Sequence, residues 1–376
     1  MSDNKSSKEK KSAKATGKAP EPVSVKVTSS VKALDLGRDF YHEVVRPSME
    51  KVCPELLAQA ACGRFGLGSE CLGLDDALSQ DHHWGPSVNI MLPESVFQEE
   101  AQGKMALVAR EFPKEFRGFK LEAGHVGGAG LSPEGMDSFL MRSVGITTAP
   151  STNEEWLNIP EEDIIHVING EVWHDGLGAF TQLREKYNAY YPDLVWKRRI
   201  AHWCRYVSGM GLYATHRAVL RKNYPAAYIA FGQTIKLTLE LTFLLNRTYF
   251  PYYKWLYIQF KKLPRLASDI DPLITEMTIN ETTWERRITL FEDIHDILDR
   301  DMVAQGLISE HAQYDKSPTS SYRILDAAYG DLCRQLPNDI LKHIPLWDQI
   351  YLEQFHSGFV SDLDPKGWTD CLNLTK

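Results

Sequence analysis

The segment that most restricts the fold of this chain is a polar, glycine-rich connection, GRFGLGSECLGLDDALSQDHHWGP at positions 63–86, set between two apolar stretches. It crowds Glu70, Asp75, Asp76, Ser79, Asp81, His82, His83 and Trp84 into one connection, which exceeds what a turn requires. Upstream, Phe40, Val44, Val45, Met49, Val52, Leu56, Leu57 and Ala60 recur every three or four residues, which predicts one or two helices between Leu34 and Phe65. Downstream, SVNIMLP predicts a strand around Val88 to Leu92. The region reads as strand, turn, helix or loop, strand. In the turn, Gly68 lets the backbone approach a ligand closely, and Ser69 supplies an N–H and an O–H, as a site gripping a terminal phosphate needs. Asp81 and His83 occupy alternate positions, so on an extended segment both side chains face the same way. Two such ligands beside a phosphate cradle make a divalent-metal site of the kind used in phosphoryl or nucleotidyl transfer.

Elsewhere the chain divides by composition. Residues 1 to about 32 hold eight lysines against three acidic residues, the composition of a disordered tail. A helix is expected over 104–112, a Gly-rich loop over Gly124 to Gly130, and a second strand in SVGITTA at 143–149. Beyond about Thr181, amphipathic stretches (183–213, 226–247, 252–263, 284–304, 322–335 and 338–356) are separated by prolines, which predicts an all-helical domain. The expected division is therefore a tail over 1–32, an α/β domain over 33–180 and a helical domain over 181–376. A net charge of −8 gives no global pull toward nucleic acid, which stays possible without being favoured. No run is long and apolar enough to span a membrane. Six cysteines without a CxxC pair read as reduced, structural thiols of a cytoplasmic protein. Walker A and dinucleotide fingerprints are missing.

The run GLGSECLGLDDALSQDHHWGP resembles the opening motif of the nucleotidyltransferase superfamily, Gly-Ser followed about ten residues later by Asp-x-Asp. Its form is that of a poorly characterised bacterial family reading roughly GSE, GFDD, SRDHDWGP. WLNIPEEDIIHVINGEVWHDGLG (156–178), YYPDLVWKRRIA (190–201) and LLNRTYFPYYKWLYIQFKKLP (244–264) resemble the same family, so the likeness covers about residues 60–265. The resemblance implies an α+β fold, a nucleotidyltransferase-like mixed sheet with flanking helices, followed by an all-helical C-terminal domain. It also implies metal-dependent transfer of a nucleotidyl group from a nucleoside triphosphate to a small-molecule or macromolecular acceptor. Gly68, Ser69 and Glu70 would form the nucleotide-binding turn, and Asp81 and His83 would hold Mg²⁺ or Mn²⁺, less readily Zn²⁺. Two departures stand out. The second carboxylate of the motif is His83, a poorer ligand for hard Mg²⁺. A third carboxylate would fall near SVGITTA, which has none; Glu122, Asp137 and Glu154 are the nearest. A catalytically degenerate nucleotide-binding or scaffolding protein on the same fold is the alternative.

Other residues have two readings. Glu171 and His174 could activate the acceptor, or Asp175 could cap a helix with His174 bonded locally. Arg184, Arg247 and Lys254 could steady phosphates; the alternatives are surface ion pairs for the arginines, and a packed Tyr252–Tyr253 pair with a solvated lysine. Lys197, Arg198 and Arg199 read as the wet side of a helix whose aromatics face the core, with RNA contact as the other possibility. Asp81-His82-His83 also resembles the triplet of the DHH phosphoesterases, but here it follows polar DDALSQ where those enzymes have an apolar strand.

Overall fold

The computed structural model describes residues 31–81, 84–121, 130–310 and 324–342. Most of the expected Lys-rich tail, His82, His83, Glu122, nearly all of the Gly124–Gly130 loop, the 343–356 part of the last expected helix and Cys371 lie outside the described residues.

Helix α1 (Ala33–Phe40) continues through a π-helical turn (Tyr41–Val45) into α2 (Arg46–Val52), and a short α3 (Pro54–Leu57) leads to strand β1 (Ala61–Arg64). After the polar connection come β2 (Val88–Leu92), α4 (Glu99–Arg110), a small hairpin of β3 (Glu115–Phe116) and β4 (Phe119–Lys120), β5 (Leu131–Gly135) and α5 (Met136–Val144). Then follow α6 (Asn153–Leu157), α7 (Glu161–Ile168), β6 (Glu171–Asp175) and α8 (Ala179–Asn188). The remainder is helical: α9 (Asp193–Arg205), a π-helical segment (Tyr206–Tyr213), α10 (Ala214–Leu220), α11 (Tyr224–Leu245), α12 (Tyr253–Phe260), α13 (Ala267–Thr278), α14 (Trp284–Ala304), α15 (Ile324–Gln335) and α16 (Asn338–Lys342). The fold class is the expected one, α+β with a small mixed sheet followed by a helical half.

The sheet has the order β5-β2-β1-β6, with β2 and β5 parallel and the other pairs antiparallel. Side chains alternate across it. Cys62, Val88, Ile90 and Leu92 pack with Leu36, Phe40, Tyr41, Val45 and Met49 from the N-terminal helices. Ala61 and Met91 face the opposite way, into a cluster that runs through Phe139, Leu157 and Phe180 to Leu332 and Ile340. This second cluster crosses residue 180 without interruption, so one apolar core joins the sheet to the helical half. Among the described residues no helix is long and apolar enough to cross a membrane.

Three local expectations are revised. Residues 143–149 are not a strand: Ser143 and Val144 end α5, and Gly145 caps it at φ +76° with its N–H on the Met141 carbonyl. Thr147 and Thr148 are then left exposed. The parallel strand is β5, whose Pro133 is tolerated because β5 is at the sheet edge and needs no ladder hydrogen bond there. Second, the helical reading overran into β1. Gly63 is required there because a Cβ would lie 2.1 Å from the Glu171 carbonyl across a bulge in the β1–β6 pairing. Third, Arg198 and Arg199 are 2% and 1% exposed, so neither faces solvent or nucleic acid. Arg198 donates to the Ile340 carbonyl (3.0 Å), and Arg199 pairs with Glu161 while donating to the carbonyls of Trp156 and Ile159 (2.9 and 2.8 Å). The helix reading held for Trp196, Trp203 and Tyr206, which are buried.

Candidate functional site

Strand direction brings the polar connection to one edge of the sheet. The pairings Gly63↔Asn89, Arg64↔Glu171 and Val88↔Leu131 place the C-terminal end of β1 beside the N-terminal starts of β2, β5 and β6. The Gly-Ser turn leaves from that edge, and the segment carrying Asp81 returns to it. The backbone of Asp81 ends a short 3₁₀ turn, Ala77–Asp81. Its side chain and all of His83 lie outside the described residues.

The turn is fastened from several directions. Asn169, just past the end of α7, clasps Gly66: its side-chain oxygen accepts the Gly66 N–H (3.0 Å) and its amide donates to the Gly66 carbonyl (2.6 Å). The Gly170 N–H donates to the Cys71 carbonyl (2.9 Å), and the Phe65 N–H to the Asn89 side chain (3.3 Å). Within the turn, Arg64 pairs with the buried Glu70 carboxylate. Gly68 has φ +149°, and a Cβ on it would lie 2.4 Å from Glu70 Oε1. Glu70 therefore sits beneath Gly68 and braces the turn against Arg64. Desolvation pushes the Cys71 thiol up to about 12, so it stays neutral and adds no charge to the site.

Asp75 is a residue the sequence reading did not single out. It is 2% exposed, and its Oδ2 accepts the Ala33 N–H at the start of α1 (2.9 Å) and the Trp84 indole N–H (3.1 Å). A carboxylate on the first free amide of a helix is favoured by the helix dipole as well as by the hydrogen bond. It thereby ties the middle of the polar connection, and Trp84 near its far end, to the N-terminal helix.

The remaining candidates separate by position. Glu171 starts β6 at the site edge, gripped by Arg38 through two bonds (2.8 and 2.7 Å) and by the Trp173 indole (2.8 Å). His174 lies three residues further, about 10 Å along the strand, and contacts the Leu57 carbonyl (2.8 Å). Asp175 accepts the Thr181 N–H (2.8 Å) in the first turn of α8, as a cap does. Arg184 is turned onto the carbonyls of Ile168, Asn169 and Gly170, so it supports the stretch that clasps the Gly-Ser turn. Burial lowers the pKa of its guanidinium from the usual value, which nevertheless remains a cation at neutral pH. Arg247 pairs with Asp193 (2.6 Å), and the Lys254 ammonium lies over the Trp255 ring, 5.0 Å from its centre. Of the acids near the expected third carboxylate, Asp137 is in α5, beyond the far end of β5, and Glu154 is in α6. Glu134, on β5, is three residues inside the edge and paired with Arg142 (2.8 Å).

Residues 156–256 match a family described as "Domain of unknown function (DUF4037)". That segment starts in α6 and ends in α12, taking in the Asn169 clasp, Glu171 and Arg184 but not the Gly-Ser turn. A solved structure described as a nucleotidyltransferase-like protein from Exiguobacterium sibiricum 255-15 is similar at 12% identity and a TM-score of 0.40, over 84% of this chain and 89% of that one. No curated protein matches.

Proposed function

We propose that this chain transfers a nucleotidyl group from a nucleoside triphosphate to an acceptor, at the sheet edge where the Gly-Ser turn leaves β1. The observation that carries the reading is the meeting of that turn, the segment entering β2 and the start of β6 at one edge, with the turn fastened by Asn169 and Glu70. Backbone N–H groups and the Ser69 hydroxyl suit phosphate oxygens. An acceptor oxygen forms a bond to the α-phosphorus as the bond to the bridging oxygen breaks. Pyrophosphate departs with the electron pair, and the acceptor's proton passes to Glu171 or to water. Positioning and electrostatics supply most of the acceleration in such chemistry. His174 is too far along β6 to share that role, and Arg184 acts by supporting the turn.

Among the described residues no three metal-type side chains cluster, so a metal here would rest on Asp81, His83 and the triphosphate's own oxygens. One carboxylate and one imidazole fit Mn²⁺ or Zn²⁺ better than Mg²⁺. When bound, the ion would neutralise charge on the phosphate oxygens. His83 also favours a second reading, a nucleotide-binding protein that has lost catalysis.

His83→Asp distinguishes the two. With His83 as a working ligand, the variant moves metal preference from Mn²⁺ toward Mg²⁺ in triphosphate binding. On the second reading, it creates Mg²⁺-dependent release of pyrophosphate that the parent lacks. Unchanged metal preference together with unchanged turnover would contradict both.

A further inference from the structure

A pocket of 260 Å³ opens between α7, α11 and the segment around α12. Ile165, Phe243 and Leu263 give it apolar walls, and Thr248, Gln259 and Lys262 bring the polar groups. Its volume is just below the ~300 Å³ at which pockets begin to admit drug-sized ligands, so it suits a smaller, metabolite-sized molecule.

Two links tie this pocket to the Gly-Ser turn. Gln259 donates its amide to the Leu72 carbonyl (3.3 Å), three residues beyond Ser69. Ile165 belongs to α7, whose C-terminal neighbour Asn169 clasps Gly66. A molecule in the pocket thus lies against elements bonded directly to the turn. Charge narrows its chemistry. Lys261 pairs with Asp271 (3.8 Å), whereas no carboxylate among the described residues pairs with Lys262. An unpaired ammonium at the rim of an apolar pocket recognises an anionic group on a largely apolar molecule.

We propose that this pocket receives the acceptor, a small molecule with an apolar body against Ile165, Phe243 and Leu263 and a carboxylate or phosphate on Lys262. The inference rests on the nucleotidyl-transfer reading, because only that reading makes a neighbour of the turn an acceptor site. With the Gln259 amide on the Leu72 carbonyl and the Thr248 hydroxyl proton on the Asn246 carbonyl, their oxygens can accept hydrogen bonds from the bound molecule and orient it.

The test uses the full chain, with benzoate and phenyl phosphate as anionic probes and benzyl alcohol as the neutral comparator. Probe binding is followed by saturation-transfer NMR, and ATP·Mn²⁺ binding by thermal shift on the same samples. For so few atoms, roughly millimolar affinity is expected for the anions, and weaker binding for the alcohol. Lys262→Glu should weaken the anions by about tenfold, and Leu263→Trp should remove all three probes by filling the pocket. Both variants should keep the ATP·Mn²⁺ shift. An ATP shift without anion binding, or anion binding indifferent to both substitutions, overturns the acceptor pocket and leaves the nucleotide site standing. Anion binding lost in both variants, without a shift by any triphosphate, overturns its role as an acceptor site because the transfer reading has then failed.

Discussion

Replacing Arg199 by methionine is expected to cost about 3–5 kcal/mol of folding stability, roughly a 10 °C fall in melting temperature. Arg199 is 1% exposed and sits on α9 against α6 and α7, where it pairs with Glu161, itself 4% exposed. It also takes up the carbonyls of Trp156 and Ile159, and its guanidinium lies 4.7 Å from the centre of the Tyr191 ring. Methionine fills much of the volume but leaves the Glu161 carboxylate buried without its counter-charge. The large penalty comes from that stranded charge more than from the lost attraction. Adding Glu161→Leu to the variant should therefore restore part of the lost stability, since two apolar side chains leave no charge to desolvate. Thermal melts of the parent, the single and the double variant check this. A single variant melting within a degree of the parent would show that the pair is not formed.

Gly68→Ala is expected to leave the fold largely intact and to weaken triphosphate binding by about a hundredfold. At φ +149° alanine is strained by about 1–3 kcal/mol, and its methyl group lies where Glu70 Oε1 now is. The carboxylate could move only by leaving Arg64, which holds it beneath the turn. The turn amides then shift, and displacements of about 1 Å are enough for losses of that size in a positioned site. Titration of ATP·Mn²⁺ against both proteins by calorimetry reads the effect directly. Equal affinities would mean that the Gly-Ser turn does not contact the phosphates.

What was legible in the sequence is what local chemistry decides. Val88–Leu92 and Trp284–Ala304 form the expected strand and helix, because a short apolar run and an amphipathic period are local signals. The Gly-Ser turn was visible for the same reason, since Gly68 answers to a backbone need. The fastening of the turn was not legible. Gly66 and Asn169 are separated by 103 positions, and Arg38 and Glu171 by 133, and nothing in either neighbourhood announces the partner. Asp75 looked like one acid among several until the fold brought the start of α1 to it. SVGITTA misled because its β-branched residues fit a strand, while Gly145 and the end of α5 settled the backbone first. Helix α13 was missed altogether, and Pro272 within it is the reason.

The nucleotide site is tested most directly by ligand-induced thermal stabilisation with ATP, CTP, GTP and UTP, each with Mg²⁺, Mn²⁺ or Zn²⁺, on the parent and on Asp81→Ala. At a hundred times the dissociation constant, binding adds about 2.7 kcal/mol, a rise of about 5 °C. A nucleotide site at the Gly-Ser turn gives a metal-dependent rise in the parent that Asp81→Ala abolishes while its unliganded melting point stays near the parent's. No rise with any triphosphate and metal, or a rise that survives Asp81→Ala, would contradict it.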